Sequence, residues 1–557
     1  MRFKVRWLAW LILSHRWMGI VLGLMLLIWS VSGVVLMYYG LPHLTAGERL
    51  ARLPALDAAA VRISPAEAAA RVEGEPFRMR LSMQGDRPAY RIATGRVFGN
   101  WSIVYADTGE VFAGFSAEEA IAWLEGYAPE AAGRMSVDGY VTRPDLHTHN
   151  PGILTHMPMH RIALNDAAGT IFYVSEGTGE AVMKTDRVGR ILGGGGYDLH
   201  TGFFFRQQSW WSTLLQVLAW SGFVMALLGV TLGIVRYSLK PRYRLRTAPS
   251  RTPYMGLMKW HHLAGLIFGV FAVTWLFSGL VSLSVIPGMR ETPYAPAQIA
   301  AGARTPQGEG PRLALDDVTA QDVRAAADAA AADFAVAELE LITLNGASYW
   351  IAYRTPSVEE VRRWSSKSAF DFIAPTLDHD HRLIAARAPE QGTFERLPEE
   401  TLLAAARRAM PGADVVRTTW LEDYDAYYYD RHPSFDLGLP QPVKTLPVLR
   451  VEFDDPLGTW LYLTPSHGQI VKFEAIERAN RWGYYGLHGL DIGGLFRLRP
   501  LWDVLVITLV GGVGVISATT LLPAWRRLKR IATRSARKRV QPAEAGVRAA
   551  EAGSDGG

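Results

Sequence analysis

Four histidines stand at corresponding places in a chain that repeats itself. Residues His15–Gly33 read HRWMGIVLGLMLLIWSVSG, and His261–Gly279 read HHLAGLIFGVFAVTWLFSG. At an offset of 246, His15 falls on His261, Gly19 on Gly265, Gly23 on Gly269, Trp29 on Trp275, Ser32 on Ser278 and Gly33 on Gly279. Further along, Leu199-His200-Thr201-Gly202 and Leu487-His488-Gly489 each precede a long apolar run. Imidazole at a membrane is unfavourable without a partner, so four at matching boundaries point to a shared ligand. The chain contains no cysteine, which excludes disulfides, thiolate-held iron–sulfur clusters and thioether-attached haem. Any redox cofactor must then rest on histidine.

The elements that would position these residues are four apolar stretches long enough to span a bilayer: Trp17–Tyr39, Trp210–Val235, Leu263–Val285 and Leu501–Leu522. The first is too long for a signal peptide and recurs in mid-chain, so it reads as an uncleaved helix. Arg2, Lys4, Arg6 and Arg16, six basic residues between Lys240 and Trp260, and eight between Arg526 and Arg539 flank the spans, with no acid in the last two groups. The positive-inside rule places these flanks, and both termini, in the cytoplasm. These 18 basic residues exceed the net charge of +5, so the remainder is acidic and no nucleic-acid surface is expected. The expected fold is a membrane α-helical bundle of four transmembrane helices in two parallel repeats, with two large extracytoplasmic α+β modules. Its divisions are 1–39, 40–209 (module 1), 210–235, 236–262 (basic loop), 263–285, 286–500 (module 2), 501–522, and a disordered basic tail, 523–557.

The outer segments repeat too. Pro158–Val182 matches Pro447–Val471 at an offset of 289, with Arg161, Asp166, Gly169, Thr170, Tyr173 and Gly179 on Arg450, Asp455, Gly458, Thr459, Tyr462 and Gly468. Alternating apolar residues around an Asp/Gly turn predict a β-hairpin in each copy. Alanine-rich helices are expected at Ser64–Val72, Ala117–Glu125, Ala320–Asp333 and Pro398–Met410, and a flexible linker at Gly302–Arg312.

ISPAEAAARV (Ile63–Val72) followed by SIVYADTGEV (Ser102–Val111) resembles a PepSY domain. HRWMG (His15–Gly19) and LHTG (Leu199–Gly202) resemble the two halves of the PepSY-associated transmembrane motif, and the likeness covers nearly all of residues 10–530. At His488 the motif departs, with Gly489-Leu490 in place of Thr-Gly. The family includes iron-regulated inner-membrane proteins and haem-containing ferric-siderophore reductases. The resemblance therefore implies a haem-bearing reductase of the bacterial inner membrane, with its modules in the periplasm and a ferric siderophore as electron acceptor.

On a helix, Gly19, Gly23 and Gly33 lie at about 40°, 80° and 0° from His15. The histidine heads a stripe of small residues, which admits close helix packing or a flat macrocycle. His15 paired with His261 inside, and His200 with His488 outside, would each suit a bis-histidine haem b, two in all. Arg206 and Arg497, in FFFR and GLFR, are candidate partners for haem propionates or simple headgroup anchors. His262 competes with His261, though the spacing to Gly265 favours His261. The cluster His147, His149, His156 and His160, with Met157 and Met159, reads as a metal-binding or substrate-facing loop or as a polar lead-in to a strand; its spacing fits no standard ligand pattern and favours the latter. His379, His381 and the run Tyr424–Tyr429 carry weaker signals. Trp29 and Trp275 read as rings stacked near the cofactors or, more simply, as core packing. No flavin or nicotinamide fingerprint follows residue 530, so the electron donor is a separate reductase or a quinol. The alternative is a non-enzymatic membrane-anchored PepSY module that binds or regulates a peptidase. Transport fits poorly, because the apolar runs carry no charge.

Overall fold

The computed structural model describes residues 2–95, 100–148, 151–205, 208–245, 248–286, 288–304, 309–357, 359–361, 381–429, 444–495 and 498–552. The chain divides into two units, one of residues 1–34, 205–287 and 482–557, the other of residues 35–204 and 288–481. In the first, the helices Arg2–Leu36, Trp211–Arg236, Leu257–Ser282 and Leu501–Ala552 contain four stretches long and apolar enough to cross a membrane. A helix is the form that satisfies every backbone group of such a segment internally. Glycines set the helix contacts. A Cβ at Gly269 would lie 2.9 Å from Val230, one at Gly222 or Gly23 would lie 3.0 Å from Leu276 or Thr520, and one at Gly512 would run into Phe268. Two boundaries differ from the sequence expectation. The first helix starts well before Trp17, so His15 lies within it. The last runs past Leu522 on to Ala552, in a stretch whose Ala, Arg and Glu residues favour helix.

The α+β unit begins with β1 (Pro76–Gln84), β2 (Arg87–Thr94) and β3 (Asn100–Tyr105), then β4 (Ser136–Val141), β5 (Met159–Ala163), β6 (Ile171–Ser175) and β7 (Ala181–Thr185). After a short hairpin of the spanning unit with two-residue strands, β8 (Tyr243–Arg244) and β9 (Pro249–Ser250), the pattern recurs. β10 (Val336–Leu344), β11 (Ala347–Arg354), β12 (His381–Ala385) and β13 (Thr393–Phe394) precede β14 (Val415–Leu421), β15 (Val448–Phe453), β16 (Trp460–Thr464) and β17 (Gln469–Phe473). The predicted hairpins are β5–β6 and β15–β16. In each, an aspartate, Asp166 or Asp455, accepts hydrogen bonds from the backbone and hydroxyl of Thr170 or Thr459. Gly169 and Gly458 take positive φ there, which explains their recurrence. The four alanine-rich helices form at Pro65–Ala69, Ala117–Tyr127, Ala320–Ala331 and Glu399–Ala409.

What sequence reading took as two modules is one compact unit, because β1 and β10 pair and fuse the halves into a seven-stranded sheet, β13-β12-β11-β10-β1-β2-β3. Unpaired strand edges are unfavourable, and each half offers its first strand to the other. The Gly302–Arg312 stretch is pinned at its start, where Ala303 bridges Ile470 and Arg304 reaches Glu340 at 3.0 Å; residues 305–308 lie outside the described set.

Between the sheets lies a buried ionic network. Arg49 grips Glu338 with two bonds of 2.7 and 2.8 Å, and Arg80 bridges Glu338 and Glu180 at 3.2 and 3.0 Å. Burial pushes the Glu180 carboxyl up, but Arg80, Arg91 and Arg49 override it and hold it at about 2. His156, stacked on Trp101 (5.8 Å between ring centres), is pushed down to about 4 by burial; Glu180 opposes the shift and Arg80 adds to it. A histidine buried neutral loses stability as pH falls, from its unfolded value of about 6.5 down to its folded value. The α+β unit should therefore lose about 3 kcal/mol between pH 7 and 4 through His156. Glu180 acts in a lower window, below about pH 4.5. Chemical denaturation at pH 7.0 and 4.5 should show this loss, and His156→Gln should flatten it. Equal slopes in both proteins would disprove the assignment.

Candidate cofactor site in the spanning bundle

His15 on the first spanning helix and His261 on the third face each other, with ring centres 6.1 Å apart and planes at 42°. Each ring is oriented by the neighbouring helix. Nδ1 of His15 donates to the Met225 carbonyl and Nδ1 of His261 to the Ile516 carbonyl, both at 3.0 Å. A carbonyl can only accept, so the proton sits on Nδ1 and the Nε2 lone pair is free to ligate. Such a second bond on the far nitrogen is the usual companion of metal ligation. Two imidazoles sharing one metal through Nε2 at about 2 Å would hold their ring centres roughly 6 Å apart. The observed separation fits.

Around them is a cavity of about 560 Å³, within the range of small-molecule and cofactor sites. Gly19, Gly23, Gly265 and Gly269 of the predicted stripe line it, together with Gly229 and Gly233 of the second spanning helix. Gly229 lets His15 come close, since a Cβ there would sit 2.7 Å from the imidazole Cε1. A Cβ at Gly265, by contrast, meets nothing within 4 Å. Gly265→Leu should therefore leave the fold and its melting temperature nearly unchanged while filling the space a macrocycle needs. The check is haem content against thermal stability; full haem occupancy in that variant would mean the cavity is not the site.

His262 also borders the cavity, but both its nitrogens are engaged. Nε2 donates to the Gly233 carbonyl at 2.9 Å, and Nδ1 accepts from the Thr252 hydroxyl at 2.7 Å. It ties the loop to the helix and has no lone pair to offer. Arg16, Arg526, Arg527 and Arg530 line the same cavity. They were visible in sequence only as basic flanks. Their convergence could not be read, because it depends on how the first and fourth helices pack. Four guanidinium groups suit carboxylates on a bound ligand.

His488 lies in the spanning unit, and a closed set of hydrogen bonds fixes it. Its Nδ1 donates to the Ser278 hydroxyl (2.9 Å), Ser278 donates to the Trp275 carbonyl (2.8 Å), and the Trp275 indole donates to the His488 carbonyl (2.9 Å). Trp502 holds the next carbonyl, Gly489, at 2.8 Å. Trp275 is thus more than core packing. His200 belongs to the other unit, in the helix Gly195–Thr201. A π-helical turn precedes each of these histidines, Gly189–Gly194 and Trp482–Gly486; such turns are frequent at functional sites. Arg190 and Arg478 anchor the approaching segments to the matched turn carbonyls of Gly169 (3.0 Å) and Gly458 (2.8 Å). Arg206 and Arg497 lie outside the described residues.

The second histidine cluster does not converge. His156 packs on Trp101, His160 donates to the Phe115 carbonyl at 2.9 Å, and His147 follows an Asp145 turn; His149 is outside the described residues. Among the described residues no three His, Cys, Asp or Glu side chains are grouped to hold a metal ion. His381 is buried against His467, with ring centres 4.5 Å apart, and His379 is outside the described set. In the tyrosine run, Tyr428 stacks on Tyr462 at 5.1 Å, a packing role.

Four apolar helices around a histidine-bearing cavity, joined to an α+β unit of paired repeats, define a multi-pass membrane protein with a candidate cofactor site. The chain belongs to the family of PepSY-associated transmembrane regions (PepSY_TM, PepSY-associated TM region), whose profile matches residues 12–527. No curated protein matches the sequence.

Proposed function

We propose that this protein is a b-type haem electron carrier that crosses the membrane and delivers electrons to an extracytoplasmic acceptor, with a ferric siderophore as the acceptor that the family resemblance implies. The observation that supports it most is the pair His15 and His261, each with Nδ1 tied to a carbonyl and Nε2 free, facing across a cavity of cofactor size. Bound haem would supply one-electron redox chemistry. The chain's own residues would do the rest. His15 and His261 would hold the iron, Gly19, Gly23, Gly265 and Gly269 would make room, and Arg16, Arg526, Arg527 and Arg530 would neutralise the propionates. His200 and His488 would ligate a second haem. Electrons would come from a separate reductase or a membrane quinol, with the basic flanks and both termini cytoplasmic. Reduction would release iron because Fe(II) suits hard oxygen ligands less well than Fe(III).

The visible spectrum of the purified protein tests this reading. Reduced bands of b type, with about two haems per chain by pyridine haemochromogen, are expected. A colourless protein that takes up no added haemin would eliminate it and leave the non-enzymatic PepSY module.

A further inference from the structure

The seam inside the α+β unit carries a charge pattern that its backbone does not require. β1 and β10 are the equivalent first strands of the two halves, each leading by a short turn into a second strand. They pair antiparallel with Arg80 opposite Glu340 and Leu81 opposite Leu339. Each strand thus lies against its own counterpart, as two copies of one strand would in a two-fold dimer. On one face both strands are apolar, with Met79 and Leu81 against Leu339 and Leu341. On the other they are complementary. Arg78 and Arg80 occupy in β1 the places that Glu338 and Glu340 occupy in β10, and the diagonal pairs Arg78–Glu340 (3.1 Å) and Arg80–Glu338 (3.2 Å) repeat along the seam. All four side chains are buried.

A strand edge that fits its counterpart can also fit itself in a second copy. In that register Arg80 would face Arg80 with Arg78 diagonal to it, or Glu340 would face Glu340. Desolvated like charges make either arrangement unfavourable, and a built-in repulsion is how specificity against a wrong partner is obtained. We infer that Arg78, Arg80, Glu338 and Glu340 make the β1 edge an interaction surface for the β10 edge of the second half and bar it to a second copy of itself. The charges select the partner, while the backbone ladder and the apolar face supply the adhesion. Glu338 and Glu340 each keep another arginine, Arg49 and Arg304, so neutralising residues 78 and 80 strands neither carboxylate. Glu180 likewise keeps Arg91 at 3.4 Å. This inference stands on the sheet alone and does not depend on haem.

The test severs the chain once, between Thr247 and Ala248, and makes both segments in one cell so that every residue of the protein is present. The first segment is supplied with two different tags. In the wild type, a tagged first segment should capture the second segment and less than about one tenth as much of the other first segment. With Arg78→Met and Arg80→Met in both tagged forms, capture of the second segment should stay within about two-fold, and first-with-first capture should rise at least about ten-fold. The uncut chain with the same substitutions should keep wild-type abundance, which shows that it folds. First-with-first capture that is high in the wild type, or unmoved by the substitutions, overturns the inference. So does failure of the severed wild type to assemble, and so does loss of first-with-second capture or of the uncut variant, since the charges would then be the adhesion itself.

Discussion

On the proposed function, replacing His15 or His261 with alanine is expected to remove about one haem per chain, and to do so equally for either residue. The two rings face each other with Nδ1 tied to a carbonyl in each, so on the proposed function both would be needed to hold the same haem. The neighbouring His262→Ala should keep its haem, because its two nitrogens are spent on Gly233 and Thr252. Its effect should fall on the loop, as faster proteolysis between the second and third spanning helices. Pyridine haemochromogen assays on the three variants, at matched expression, decide the matter. Haem loss in His262→Ala with full retention in His261→Ala would move the ligand by one position and contradict the geometry described above.

Glu338→Ala should be the most destabilising single change in the α+β unit. It removes both bonds of Arg49 to Glu338 and one of the two carboxylates that hold Arg80, and the two arginine side chains are 2% and 0% exposed. Removing one partner of a buried ionic cluster costs about 3–5 kcal/mol, a large part of the stability of an ordinary domain. Glu130, whose pair with Arg52 is 56% exposed on the carboxylate side, should lose only about 0–1 kcal/mol on the same substitution. Thermal unfolding of the two variants side by side checks the contrast. A Glu338→Ala protein as stable as Glu130→Ala would mean that the network is hydrated and not buried.

The four spanning helices, both hairpins and the alanine-rich helices were legible because each depends on local pattern. Apolar length, alternation around Asp/Gly turns and runs of alanine are properties of consecutive residues. The register of the repeat pairs His261, not His262, with His15, and in the structure both nitrogens of His262 are engaged while His261 is bonded through Nδ1. The buried ionic network was not legible. Arg49, Arg80, Glu180 and Glu338 are far apart in sequence, and nothing nearby marks an arginine as one that will be buried.

By itself, then, the sequence determined that the chain has four membrane-length helices, with histidine as the residue type available for a cofactor. Periodicity, composition and the absence of cysteine are sufficient for that, since each constrains residues wherever they end up. Only the tertiary structure decided that His15 and His261 face each other across a cavity, that Arg16 joins Arg526, Arg527 and Arg530 on its lining, and that β1 and β10 fuse the two modules into one sheet. Those outcomes depend on which surfaces pack, which is settled by glycine-sized gaps, buried charges and unpaired strand edges that meet only when the chain has folded.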